Sequence, residues 1–205
     1  DKTLGEGTYS FNAELSKEPK EQGELLWDRV GSYKRYQDTD IGISPFAFVP
    51  DEKAVIKVNS YEHDEYGITT EDALLTKKMQ DKRLRKEDYL KIDLEYSECV
   101  KTYGDRNAKT ALVCWGSNKG VCIEAAKGLN LKVIQPVILS PFPVTQLREA
   151  LKGVKRLIAV ESNATAQLVR LVNSYGIDAG KKVLKYDGRP FSVEELETKL
   201  QEAIK

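Results

Sequence analysis

The stretch TALVCWGSNKGVCI, residues 110–123, decides the fold. Ala111, Leu112, Val113, Cys114 and Trp115 form an unbroken apolar run, too short for a buried helix and without a polar residue at every second position. It reads as a strand covered on both faces. Gly116 and Ser117 end the run. From Asn118 the apolar residues Val121, Ile123, Ala125, Ala126 and Leu129 recur at helical spacing, with Gly128 placed to close the helix. Strand, tight turn and helix in succession open a parallel sheet.

Downstream the pattern repeats. Residues 132–139, 156–160 and 182–184 read as strands, and 144–151, 164–172 and 193–204 as helices. Strands alternating with short helices predict an α/β fold with helices on both faces of a mostly parallel sheet, a three-layer α/β/α arrangement. Ser192 with Glu195 three residues on has the form of a capping box for the last helix.

Upstream the signal thins. TLGEGTYS, KEPKEQG and ISPFAFVP carry glycines, prolines and charges with little periodicity, and only AVIKV (54–58) reads as a short strand. One helix is expected from about Thr70 through DALLTKKMQDKRLRKEDYL, with Thr69 or Thr70 as its cap. Its apolar stripe of Leu74, Leu75, Met79 and Leu84 is thin beside Lys77, Lys78, Lys82, Arg83, Arg85 and Lys86, so it reads as a lightly packed connector with a solvated basic face. The expected division is a connector over 1–106 and an α/β domain over 107–205. The opening DKTLGEG, without a methionine, suggests a piece of something longer.

Composition narrows the function. The 205 residues hold 32 Lys plus Arg and 32 Asp plus Glu, so no net field favours nucleic acid or an anionic membrane as partner. No apolar run approaches the roughly 18 residues of a membrane span, and a soluble, cytoplasmic chain is expected. Cys99, Cys114 and Cys122 lack CxxC spacing, and Cys114 and Cys122 read as small core residues.

Five stretches could carry chemistry. GSNKG (116–120) lies where open α/β sheets bind phosphates on helix-start amides, and Gly116, Ser117 and Lys119 keep an anion site open, yet the spacing is neither GxGxxG nor GxxxxGK[ST]. EHDEYG (62–67) holds the sole histidine, His63, among carboxylates that include Asp64; those types suit a metal or an acid–base pair, but adjacent residues rarely converge, and a structural turn competes. Ser140 and Pro141 open SPFP, a stiff loop after the second strand that reads equally as crevice wall or connector. ESNAT (161–165), with Asn163, and YDGRP (186–190), with Asp187 and Arg189, follow strands and read first as a helix cap and a turn.

Taken in order, GISP (42–45), EHDEYGITTED (62–72), WGSNKG (115–120), SPFP (140–143), VESNATAQL (160–168) and LKYDGRPF (184–191) resemble the α subunit of 2-oxoacid:ferredoxin oxidoreductases, nearest the 2-oxoglutarate or broad-specificity type. The resemblance implies a connector and a transketolase-C-like domain from the C-terminal part of that subunit. It further implies that a pyrimidine-binding domain with a YPITPSS-like segment is absent from this stretch, and that a β subunit holds thiamine diphosphate, magnesium and a four-iron, four-sulfur cluster. On that view this chain alone binds no cofactor or metal and carries no catalytic residue. The parent complex would oxidise a 2-oxoacid to acyl-coenzyme A, carbon dioxide and reduced ferredoxin, as an oligomer. Ser44, Pro45, His63, Asp64 and the loop residues above would then line interfaces or a crevice. Where family members carry a basic residue after GISP this chain has Phe46, so an anion contact there does not carry over. Two alternatives remain: a stand-alone anion- or nucleotide-binding α/β module, and the C-terminal domain of another thiamine-dependent enzyme.

Overall fold

The computed structural model describes residues 33–48, 54 and 56–205. Two compact units divide the chain, the boundary falling between Tyr96 and Ser97.

In the second unit five strands form one sheet in the order β1-β3-β2-β4-β5, where β1 is Val100–Gly104, β2 Thr110–Val113, β3 Lys132–Pro136, β4 Arg156–Glu161 and β5 Lys181–Leu184. The last four are mutually parallel, and β1 runs antiparallel along the outer edge of β3. α2 (Asn118–Lys127), α3 (Val144–Ala150), α4 (Gln167–Ser174) and α5 (Val193–Ile204) connect or follow them. The alternation inside β2 explains its unbroken apolar run. Ala111 and Val113 face Leu147, Leu168 and Val172 of α3 and α4, whereas Leu112 and Cys114 face Val121, Ala125, Leu196 and Leu200 of α2 and α5. Both faces are therefore dry, and the three-layer α/β expectation holds. Burying one such Leu contributes about 2 kcal/mol.

The strand β1 lies in a stretch read from sequence as connector. Its residues VKTYG have no clean alternation, and its place comes from outside itself: Gln146 on α3 accepts the amides of Cys99 at 2.9 Å and Val100 at 3.2 Å and donates to the Ser97 carbonyl at 2.9 Å. Several boundaries also shift. β3 ends at Pro136 rather than 139. The fourth helix begins at Gln167, not 164, because residues 162–166 form a loop whose last member, Ala166, has φ 51° and no side-chain oxygen to cap with. Its orphan amides are met from the strand: the buried Glu161 carboxylate accepts from Leu168 at 2.8 Å and Val169 at 3.1 Å. Ser192 caps α5 through the Glu195 amide at 3.1 Å, while the Glu195 carboxylate turns to Lys185 at 2.5 Å, so the capping box is half made.

The first unit contains α1 (Ala73–Glu95), capped by Asp72, whose side chain accepts from the Leu75 amide at 2.7 Å, rather than by Thr69 or Thr70. Residues 54 and 56–58 are not in a strand, correcting the short strand expected there; residue 55 lies outside the described residues. The basic face of α1 is not simply solvated. Lys82 is buried and donates to Ser44 Oγ at 2.5 Å, Arg83 binds Glu62, and Arg85 binds Asp38. Gly42, at φ +74°, makes the close approach possible: a Cβ there would lie 2.4 Å from the Lys82 carbonyl oxygen and 2.7 Å from the Lys86 nitrogen.

Candidate functional site

The chain order of the sheet creates a crevice. From β2 the path crosses α2 to β3 on one side, then returns over β2 to β4 on the other, so connections leave the carboxyl ends of β2 and β4 in opposite directions. Such a switch point opens a cleft between the two loops. Ser162 Oγ, just past β4, reaches across it to donate to Asn118 Oδ1 at the start of α2, at 2.8 Å. The loop after β5 supplies the third wall. Ser117, Asn118, Ser162, Lys185 and Arg189 line a cavity of about 340 Å³ with Phe191 as a wholly buried apolar wall.

Charge in the crevice comes from the KYDGRP loop. The Lys185 ammonium bonds to Glu195 at 2.5 Å and lies 3.4 Å from Asp187; the Glu195 bond chiefly raises its pKa and keeps it protonated. Asp187 accepts the Arg189 amide at 3.0 Å, which holds its carboxyl below the ordinary range. That bond and Gly188, at φ +81°, make the turn expected from the sequence. Arg189 has no ion-pair partner among the described residues.

The sequence candidates separate. Ser117 and Arg189 line the cavity, with Gly116 and Asp187 on its flanking turns. Lys119 does not line it: its ammonium lies 6.0 Å from the centre of the Tyr103 ring. Asn163 turns to its own loop, accepting the amides of Thr165 and Gln167 at 3.2 Å each and donating to Glu161 at 2.7 Å. Ser140 and Pro141 follow β3, on the other side of β2, and take no part in the cavity. The sequence does not mark Asn118, Ser162 or Lys185 as site residues. Ser162 could be read only as a cap, and Asn118 as one helix residue among ten, because their meeting depends on which strand adjoins β2.

The other candidates lie in the first unit. His63 is buried, stacks on Tyr36 at 3.8 Å between ring centres, and has Nδ1 2.9 Å from the Asp64 carbonyl oxygen. Asp64 Oδ1 accepts the amides of Tyr66 and Ile68, each at 2.9 Å, so its carboxylate is committed to the turn. Glu65 binds Lys34 at 2.9 Å and the Asp38 amide at 2.7 Å. EHDEYG thus spends its polar groups on local structure. Ser44 joins Lys82 to the Gln37 carbonyl, and the buried Pro45 accepts from the Tyr33 hydroxyl at 3.1 Å. Among the described residues no group of three or more His, Cys, Asp or Glu is placed to hold a metal ion. Cys99, Cys114 and Cys122 are all buried, and burial, with Cys114 alongside, pushes the Cys122 thiol well up. No described helix is long and apolar enough to cross a membrane.

A mostly parallel sheet with a polar crevice at its switch point defines the second unit as a doubly wound α/β domain. No protein-family model matches the chain. Two relatives are named 2-oxoacid:ferredoxin oxidoreductase α subunits: one from Sulfurisphaera tokodaii, 35% identical over 94% of this chain and 31% of its own length, and one from Sulfolobus sp., 35% identical over 94% and 30%. A solved structure, 2-oxoglutarate:ferredoxin oxidoreductase from Magnetococcus marinus with 2-oxoglutarate, coenzyme A and succinyl-CoA bound, is 28% identical, with a TM-score of 0.62 over 88% of this chain and 32% of that one. The chain is similar to 2-oxoacid:ferredoxin oxidoreductase α subunits, and it spans about a third of the length of the relatives it matches.

Proposed function

We propose that this chain is the C-terminal part of the α subunit of a thiamine-diphosphate-dependent 2-oxoacid:ferredoxin oxidoreductase, a cytoplasmic complex that converts a 2-oxoacid, coenzyme A and oxidised ferredoxin to acyl-coenzyme A, carbon dioxide and reduced ferredoxin. The observation that carries the reading is the 35% identity to named α subunits over 94% of the chain. The division into a connector and a transketolase-C-like domain belongs to the same proposal. The 2-oxoglutarate preference is supported by the name of the Magnetococcus marinus neighbour.

The chain's role in that complex is assembly. Three buried thiols do not supply the four thiolates that a four-iron, four-sulfur cluster requires, so the donor set does not fit one. A partner β subunit is the proposed holder of cluster, thiamine diphosphate and magnesium. This chain's own residues contribute rigid loops: EHDEYG is pinned by Asp64, and GISP is pinned by Lys82. Both are flanked by exposed apolar side chains, Ile41, Ile43 and Phe46 in and around GISP and Tyr66 and Ile68 in and beside EHDEYG, as an interface requires. Support of this kind affects rate without touching substrate, since misplacing reacting groups by about 1 Å costs about a hundredfold.

The test is reconstitution. The purified chain is titrated calorimetrically with thiamine diphosphate and magnesium and assayed for dye reduction with 2-oxoglutarate and coenzyme A, first alone and then with the remaining α-subunit segments and the β subunit. No binding or turnover alone, with activity on reconstitution, is expected. Turnover by the isolated chain would overturn the assembly role, and an active complex lacking this chain would overturn the proposal altogether.

A further inference from the structure

We propose that the crevice between β2, β4 and β5 binds a small organic phosphate. This goes beyond the assembly reading and does not rest on it, because a domain can hold its place in a complex with this crevice empty.

The donors converge while acceptors are lacking. Asn118 lines the cavity at only 6% exposure; its Oδ1 is taken by Ser162 Oγ at 2.8 Å, and its Nδ2 donates to none of the described residues. A buried amide donor left without an acceptor is costly, so its retention here points to an acceptor that arrives with a ligand. The start of α2 lies at the same place; the Asn118 and Lys119 amides already donate to the Trp115 and Gly116 carbonyls at 3.3 and 3.4 Å, so the helix contributes the positive end of its dipole there, and Ser117 makes no side-chain cap. Arg189 also lines the cavity and offers a planar fork of donors without an ion-pair partner among the described residues. Lys185 lies beside it, its charge already met by Glu195 and Asp187, so it walls the site rather than supplying a free cation. A ligand group that only accepts hydrogen bonds and carries negative charge satisfies amide, helix start and guanidinium together. Phosphate meets those requirements with three oxygens in different directions.

The cavity is too large for phosphate alone. At about 340 Å³ it is within the range of small-molecule pockets, about 300–1,000 Å³. Val121, Pro190 and Phe191 give it apolar walls, and the exposed Tyr186 ring stands at the rim. The phosphate therefore carries an organic portion, and the aromatic rim suits a planar one.

Binding to the 205-residue chain is measured by calorimetry and by thermal shift, using inorganic phosphate, adenosine monophosphate and succinate as probes. Adenosine monophosphate is expected to bind saturably, inorganic phosphate more weakly and succinate least. Arg189→Ala and Asn118→Asp should each weaken adenosine monophosphate about tenfold or more, through loss of a charge-assisted bond and through introduced repulsion. Lys119→Ala, on a side chain directed elsewhere, should bind as the parent chain does. Arg189 is exposed, so its variant keeps the fold and decides the matter should Asn118→Asp melt early. Absence of saturable binding of any probe, succinate binding as well as the phosphates, or binding unchanged in Arg189→Ala would overturn the site.

Discussion

Glu161 Oε2 accepts the backbone amide of Leu168 at 2.8 Å, so a wholly buried carboxylate at the end of β4 performs the capping that residues 162–166 leave undone. With Oε1 on the Val169 amide at 3.1 Å and Asn163 on Oε2 at 2.7 Å, one side chain fixes both the loop beside the crevice and the start of α4. Glu161→Leu would leave two helix amides unpaired, each costing about 1–3 kcal/mol. A loss of at least about 3 kcal/mol is expected from urea denaturation, against about 1 kcal/mol for Glu161→Gln, which keeps one acceptor. Equal midpoints for the parent chain and the Leu variant would refute this.

Leu112 is fully buried under α2 and α5. Leu112→Ala should cost about 2–5 kcal/mol through lost burial and a residual cavity. A chain beginning at Ser97 should unfold cooperatively, whereas one beginning at Asn107 lacks β1 and bares the edge of β3. The shorter chain should be the less stable and more prone to self-association. Identical denaturation curves for the two would show that β1 adds nothing to the sheet.

Gly42→Ala tests the seating of GISP on α1. The left-handed backbone and the 2.4 Å approach to the Lys82 carbonyl both oppose a Cβ. Destabilisation of at least about 1–2 kcal/mol is expected. The readout is faster hydrogen exchange at residues 39–48, and unchanged exchange would contradict the close approach.

Acid should act on the first unit first. The Arg83 hydrogen bonds chiefly lower the Glu62 pKa. For Glu65 burial pulls upward, yet the Asp38 amide and Lys34 outweigh it and the pKa falls. Both carboxylates bind protons less readily when folded, so their stabilisation is present above the ordinary value of 4.5 and is lost as pH falls below it through the folded values. Protection of the amides near residues 62–70, relative to their intrinsic exchange rate at each pH, should therefore fall below that pH, and less so in Arg83→Met, whose Glu62 has lost its partner. Protection that does not change with pH would refute the linkage.

What the sequence determined by itself was whatever local pattern suffices to specify. The apolar run 111–115 and the helical spacing after Asn118 announced the strand–turn–helix unit, because a strand buried on both faces needs no polar alternation. The order of GISP, EHDEYG, WGSNKG, VESNATAQL and KYDGRPF indicated the family before any coordinates. Tertiary structure decided the rest. β1 has no pattern of its own and exists because β3 and Gln146 complete its hydrogen bonds. The cap of α4 lies six residues back on a strand, a distance at which a carboxylate in sequence looks like any other. The basic helix proved to be engaged because Ser44, Glu62 and Asp38 come to it from 20 to 50 residues away. The crevice owes its walls to strand order: only when β4 takes its place against β2 do Asn118 and Ser162 meet, and only β5 beside β4 brings Arg189 to the same cavity.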